Sequence, residues 1–415
     1  MEKKTEGAWL IHQSKKIQSY EDAQDFEDIE FSGKCGVFLS NLAASDEQSE
    51  LNADKVDAIR KVSKIKKGEV DSVKKKLEDL NLIENAKNGS IAVLGITTST
   101  VLTHTSDIFN STKPSSFQKA VIDLSDNISD LPKEEKELHE YIGDKHKLAI
   151  DETKDLFLQA ENIGLVDFEK LDNDSKLYFN GNLFKQRVTE KTRAVLSSLK
   201  PDESQRISTL DALLTKAGCA TFEEAKRILT EPLLAKLQAI GMYDFNEVSN
   251  PNETKVFVTK PAAFSKFGNP FEDDALDLAK AFVSALYYGM NFSSAGRGKI
   301  TMLGALMRRL VNGHMVGPAN AIGEDYKILE LNRVIEVRSE GSRYYMRLLK
   351  KDIGELALQV LQLGDSAEYT VVNSTMYSGS VTGYNGPENN RQYMRKKQLE
   401  PTKKQVANLL RTFRG

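Results

Sequence analysis

Four stretches of the chain share one arrangement of apolar and polar positions. They are "VKKKLEDLNLIENAKNGSIAVLGI", "DLFLQAENIGLVDFEKLDNDSKLYFN", "LLAKLQAIGMYDFNEVSNPNETKVFVT" and "DYKILELNRVIEVRSEGSRYYMRLL". Each begins as an amphipathic helix. Val70, Val73, Leu77 and Leu80 share one helical face, as do Leu156, Ala160 and Ile163, then Leu233, Leu237 and Ile240, then Ile322, Tyr326 and Leu329. Pro232 suits the first turn of the third helix, and Pro318 is expected to open the fourth. An Asn or Gly follows, at Asn81, Gly164, Gly241 and Asn332. These residue types accept the left-handed conformation that closes a helix. Strands then start near Ile83, Val166, Tyr243 and Ile335, and the polar runs "AKNGS", "LDNDS", "SNPNE" and "RSEGS" turn the chain into a second strand.

The caps lie 83, 77 and 91 residues apart, a spacing that suits one small domain per repeat. Helix, cap, strand, turn and strand in this order resemble the winged-helix superfamily over most of the chain. The resemblance implies a mainly α fold with small β-hairpins (α+β), arranged as tandem winged-helix domains. The expected division is an acidic segment at 1–30, winged helices at 31–112, 113–190, 191–275 and 276–363, and a linker with a basic amphipathic helix at 364–415. The second unit is the least defined, because its upstream helices are weakly patterned.

Composition narrows the partners. The 415 residues are 40% hydrophobic and 28% charged, ordinary for a globular protein of several domains. The net charge of −3 supplies no global pull toward nucleic acid, so any such contact must be local. Cys35 and Cys219 have neither metal-ligand spacing nor a disulfide framework, which suits the reducing cytoplasm. "MEKKTEGAWLIHQSKK" lacks the apolar core of a signal peptide, and no apolar run reaches the roughly 18 residues of a membrane span.

A winged helix that grips duplex DNA sets one helix in the major groove and its wing on the backbone, so that helix must not be acidic. Formal charge separates the four candidates. Lys64–Lys76 carries +4, Asp151–Ile163 −3, Leu229–Ile240 zero and Pro318–Glu330 −2. The expected DNA contacts are therefore Lys64, Lys66, Lys67, Ser72, Lys74, Lys75 and Lys76 on the first helix, with Lys87 and Asn88 at its wing. A second basic region comprises Arg297, Lys299, Arg308 and Arg309 before the fourth unit and Arg338, Arg343 and Arg347 in its wing. Those wing arginines have a competing use. They can pair with Glu324 and Asp325, or with an acidic partner such as the six acids from Glu21 to Glu30. The C-terminal run "RQYMRKKQLEPTKKQVANLLRTFRG" has an apolar stripe of Val406, Leu409, Leu410 and Phe413 and is expected to bind a partner protein, a second copy, a nucleic-acid backbone or an anionic surface, the alternative being a helix that packs back on its own domain.

Catalytic signals are weak. "SAGRGKIT" lacks the Ser/Thr after Lys299 and the upstream glycine of a phosphate loop. The five histidines, His12, His104, His139, His146 and His314, are scattered. Asp244, Glu253 and Lys255 match the residue set of a metal-dependent nuclease, but they fall on a wing in a chain rich in all three residue types. Glu272, Asp273, Asp274 and Asp277 suit a helix N-terminus better than a metal cage. The sequence therefore points to a non-enzymatic, cofactor-free binder of double-stranded DNA, of the regulator or initiator kind. The rival is an adaptor whose winged helices assemble proteins, favoured by the acidic helices of units two and four.

Overall fold

The structure is a computed structural model that describes residues 1–20, 24–43, 51–96, 98–171, 175–185, 188–249, 254–260, 273–291, 298, 300–363 and 383–414. It is mainly helical, with small antiparallel sheets.

The chain starts with α1 (Lys3–Ile17). The first unit then comprises α2 (Glu27–Ala43), α3 (Ala53–Val62), α4 (Val70–Asp79), β1 (Ile83–Asn85) and β2 (Ile91–Val93), followed by α5 (Thr98–Ser111). The second comprises α6 (Ser116–Asp130), β3 (Lys133–Glu134), α7 (Glu135–His146), α8 (Ile150–Ile163), β4 (Asp167–Lys170) and β5 (Lys176–Phe179). After α9 (Val188–Ser198), the third comprises α10 (Pro201–Ala217), β6 (Ala220–Thr221), α11 (Phe222–Ile228), α12 (Glu231–Ala239), β7 (Asp244–Ser249) and β8 (Thr254–Thr259). Then come α13 (Asp273–Asn291) and the fourth unit: α14 (Leu303–Val311), β9 (Val316–Ala319), α15 (Asn320–Asp325), α16 (Lys327–Leu331), β10 (Ile335–Glu340) and β11 (Arg343–Leu348). The chain continues through α17 (Lys351–Leu363), β12 (Gly383–Asn385), α18 (Pro387–Lys397) and α19 (Glu400–Arg411).

The four units repeat one topology. A short strand precedes the second helix and pairs with the far strand of the hairpin: β3 on β5, β6 on β8 and β9 on β11. In the first unit a single bridge, Leu51 to Ile91, occupies that place. The helix cap repeats too. The left-handed residue donates its N–H to the carbonyl three residues back, and its successor donates to the one five back. The pairs are Asn81→Glu78 with Leu82→Leu77, Gly164→Glu161 with Leu165→Ala160, Gly241→Gln238 with Met242→Leu237, and Arg333→Glu330 with Val334→Leu329. This doubled bond satisfies carbonyls that a helix end would otherwise orphan. The successors Leu82, Leu165, Met242 and Val334 are all buried, so each cap also pins its hairpin to the core.

Two expectations for the fourth unit need correction. The left-handed residue is Arg333 (φ 53°), one place after Asn332. Pro318 opens no helix but lies in β9, at the edge of its sheet. It falls where the pairing with β11 shifts register between Tyr344 and Met346, a place that tolerates a residue without an N–H. The helical stretch itself breaks at Tyr326, leaving the two short helices α15 and α16.

Residues 1–30 do not form a separate acidic segment. Residue 30 lies inside α2, and α1 buries Ala8, Trp9, Leu10, Ile11 and Ile17. α1 is a shared wall: Ala8 and Ile11 join the first unit's core, and Trp9, Leu10 and Ile17 join the second's. Close approach is obligatory at Gly7, where a Cβ would sit 1.9 Å from the Leu102 carbonyl oxygen of α5. Residues 364–382 of the expected linker lie outside the described residues.

Candidate nucleic-acid interface

The first unit's lysines divide between a turn and a helix. Lys64 has left-handed backbone (φ 56°), so no helix runs through 64–76; α3 ends at Val62 and α4 begins at Val70. The turn is pinned from three sides. Ile65 is buried in the core, Arg60 donates Nη1–H to the Ile65 carbonyl at 2.7 Å, and the Glu69 carboxylate accepts from the Lys66 N–H at 3.1 Å. Glu69 also receives the buried Lys34 ammonium at 3.2 Å. Burial pushes the Glu69 carboxyl up, but the Lys66 N–H and the Lys34 ammonium outweigh it and hold its pKa below the usual range. The result presents Lys64, Lys66 and Lys67 to solvent on a fixed turn.

The helix is less basic than its lysines suggest. Val73 and Leu77 face the core, and Lys74 and Lys76 are half-buried on the flanks. The exposed positions are Asp71, Ser72, Lys75, Glu78 and Asp79. Three lysines meet three acids within α4, so its formal charge is zero, not the +4 counted over Lys64–Lys76. Lys87 and Asn88 are exposed at the hairpin tip. The Asn88 Oδ1 is occupied by the turn itself, accepting from the Ser90 N–H at 3.0 Å and the Ser90 hydroxyl at 2.7 Å.

Counted alike from second helix to hairpin end, residues 53–93 carry ten Lys/Arg against seven Asp/Glu, or +3. Residues 135–179, 222–259 and 320–348 carry −6, −2 and zero. The fourth unit is thus neutral and not a second basic region of equal weight. Arg347, across the hairpin, and Arg338, on the same strand, share Glu336 at 2.9 and 3.2 Å; the side chains of Glu324 and Asp325 lie outside the described residues. Arg343 is exposed at the hairpin end, and Arg308 and Arg309 are exposed on α14, Arg309 donating Nε–H to the Met315 carbonyl at 3.3 Å. Arg297 and Lys299 lie outside the described residues. The two units touch beside the lysine turn. Lys350, just after β11, donates to Asn41 Oδ1 at 3.3 Å, and Asn41 Nδ2 donates to the Ser63 hydroxyl at 3.1 Å.

Two of the C-terminal cations, Arg391 and Arg395, are spent inside the protein, a use that the expected partner contacts did not include. Arg391 binds Asp167 and Glu388, and Lys16 of α1 reaches the same Glu388 at 2.8 Å. Arg395 pairs with Glu169 at 2.9 Å and Asp167 at 3.3 Å, and its guanidinium lies 4.6 Å from the Phe179 ring centre. The signal was present: Glu388, Arg391 and Arg395 recur at i, i+3 and i+7 on one helical face. The apolar stripe is also taken. Val406, Leu409 and Leu410 are buried in the third unit's core, with Phe413 packed edge-on to Phe184. An outside partner therefore does not dock on that stripe.

Asp244 and Lys255 of the nuclease triplet do not converge. Asp244 pairs in register with Thr259 and Lys255 with Val248, so the two sit four residues apart along the hairpin, roughly 13 Å at strand rise. Asp244 is buried against Lys280 at 2.6 Å, and Glu253 lies outside the described residues. Among the described residues no group of three or more His, Cys, Asp or Glu has the geometry to hold a metal ion. Among the same described residues, no helix is long and apolar enough to cross a membrane. α13 begins at Asp273, as the acids there led one to expect. No protein-family model matches the chain, and no curated protein matches it either.

Proposed function

We propose that the chain is a cytoplasmic, non-enzymatic protein of four tandem winged-helix units that binds duplex DNA, as a regulator or initiator. The observation that carries this is the pinned turn of the first unit. It holds Lys64, Lys66 and Lys67 exposed, in a stretch of +3 within a chain of −3 that also exposes Lys87 at its hairpin tip. A fixed cluster of ammonium groups suits phosphate contact, which is sequence-independent and salt-sensitive. The acids on the outer face of α4 make backbone gripping a better account than base reading by that helix. Arg308, Arg309, Arg338 and Arg343 of the fourth unit extend the grip as weaker contacts. A mobility-shift titration on random duplex tests the reading: binding at low salt that falls steeply as salt rises supports it, and no binding at low salt overturns it.

The adaptor reading draws on a different unit. The outer face of α8 exposes Ile150 and Leu158 beside Asp151, Glu152 and Asp155, in a stretch of −6. Such a face repels phosphates and suits a basic protein. Capture of a protein partner by a chain that ignores DNA favours it.

A further inference from the structure

A cleft of about 800 Å³ separates the second unit from the C-terminal helices. One wall is the end of α8 with β4, from Glu161 to Leu171; the other is α18 and α19, from Gln392 to Lys404. The volume falls in the range of small-molecule sites, about 300–1,000 Å³. The floor is acidic by composition but neutralised by pairing. Asp167 and Glu169 are held by Arg391 and Arg395, and Glu161 by Lys176 at 2.6 Å and by the Tyr178 hydroxyl. The rim is different. Lys170, Lys396 and Lys404 are exposed around it and Lys403 is half-buried, against one rim acid among the described residues, Glu400, which pairs with Lys403 at 2.9 Å.

A neutral floor under a ring of ammonium groups focuses positive potential into the cleft. Lysine binds phosphate as a compact point charge, and several around one groove favour a ligand with several charges over a monoanion. A duplex displays its phosphates on a convex surface, which reaches such a rim but does not fill the cleft. We propose that this cleft binds a small polyphosphate, free or as a nucleoside polyphosphate, and that the ligand ties the second unit to the C-terminal helices. The inference is independent of DNA binding, because it uses other residues and a different unit.

The test is a thermal-denaturation and calorimetric titration of the full chain with sodium tripolyphosphate and, separately, ATP, at low salt. A saturable rise of several degrees in Tm is expected. The K170Q/K396Q/K404Q variant, changed only at exposed positions, should keep its circular dichroism and bind at least tenfold more weakly. ATP binding more tightly than tripolyphosphate identifies a nucleoside ligand, and equal affinities identify the phosphate chain; both support the site. No saturable response, an undiminished response in the triple variant, or an equal effect from orthophosphate overturns it.

Discussion

Gly241 cannot be replaced without cost. Its φ is +74°, and a Cβ there would lie 2.6 Å from the Gly181 carbonyl oxygen. Gly241→Ala combines a left-handed penalty of about 1–2 kcal/mol with that backbone collision, so a loss of roughly 2–4 kcal/mol in urea denaturation is expected. Asn81 holds the same cap with φ 55° and is exposed. Asn81→Gly should shift stability by less than about 1 kcal/mol, because relief of φ strain and added chain entropy oppose each other. Equal effects at both sites would contradict the repeated cap. These caps were legible because Gly and Asn advertise the left-handed position. Arg333 advertises nothing, and Asn332 beside it is the residue type that suits the left-handed position. Lys64 is the same case: a left-handed lysine inside a lysine run reads as helix.

Element boundaries decided the charge argument. Gly68 is the sole glycine between α3 and α4, and it follows Lys64, Lys66 and Lys67, so the sequence marks no break between the turn lysines and the preceding helix. Glu78 and Asp79 lie in the last turn of α4, beyond the Lys64–Lys76 run, and cancel part of its charge. The hairpins were easier, since polar turns bracket short apolar runs. The burial of α18 was hidden for a different reason: Arg391 and Asp167 are 224 positions apart, and nothing local announces their meeting. That network makes a prediction. Burial pushes the Glu388 carboxyl up, but Arg391 and Lys16 hold its pKa well below the usual range. A depressed carboxylate stabilises the fold above its unfolded pKa, about 4.3, and that stability is lost as pH falls through the folded value. Glu388→Gln should cost about 3–5 kcal/mol at pH 7, since it leaves buried cations undercompensated. Urea midpoints measured from pH 7 downward should fall less steeply in the variant than in the parent. Parallel curves would remove Glu388 from the account.

At the scale of the whole molecule, the four units close on one another. α1 serves the cores of the first two, Arg391 spans from Asp167 in the second to the Ala239 carbonyl in the third, Lys280 of α13 pairs with Asp244 of the third, and Lys350 joins the fourth to the first. Four helix–cap–hairpin junctions were visible in the sequence; this closure was not, because it depends on buried lysines and arginines that resemble surface charge. It leaves the lysine turn of the first unit exposed, and the central claim rests there. The most direct measurement is the slope of log K against log salt on random duplex, for the parent and for K64Q/K66Q/K67Q. Glutamine removes three charges at exposed positions, so stability should hardly change. Each lost phosphate contact flattens the slope by about 0.9, so the account predicts a fall of about 2–3 with weaker binding. A parent that binds with a steep slope, and a variant whose slope and affinity match it, would contradict the account.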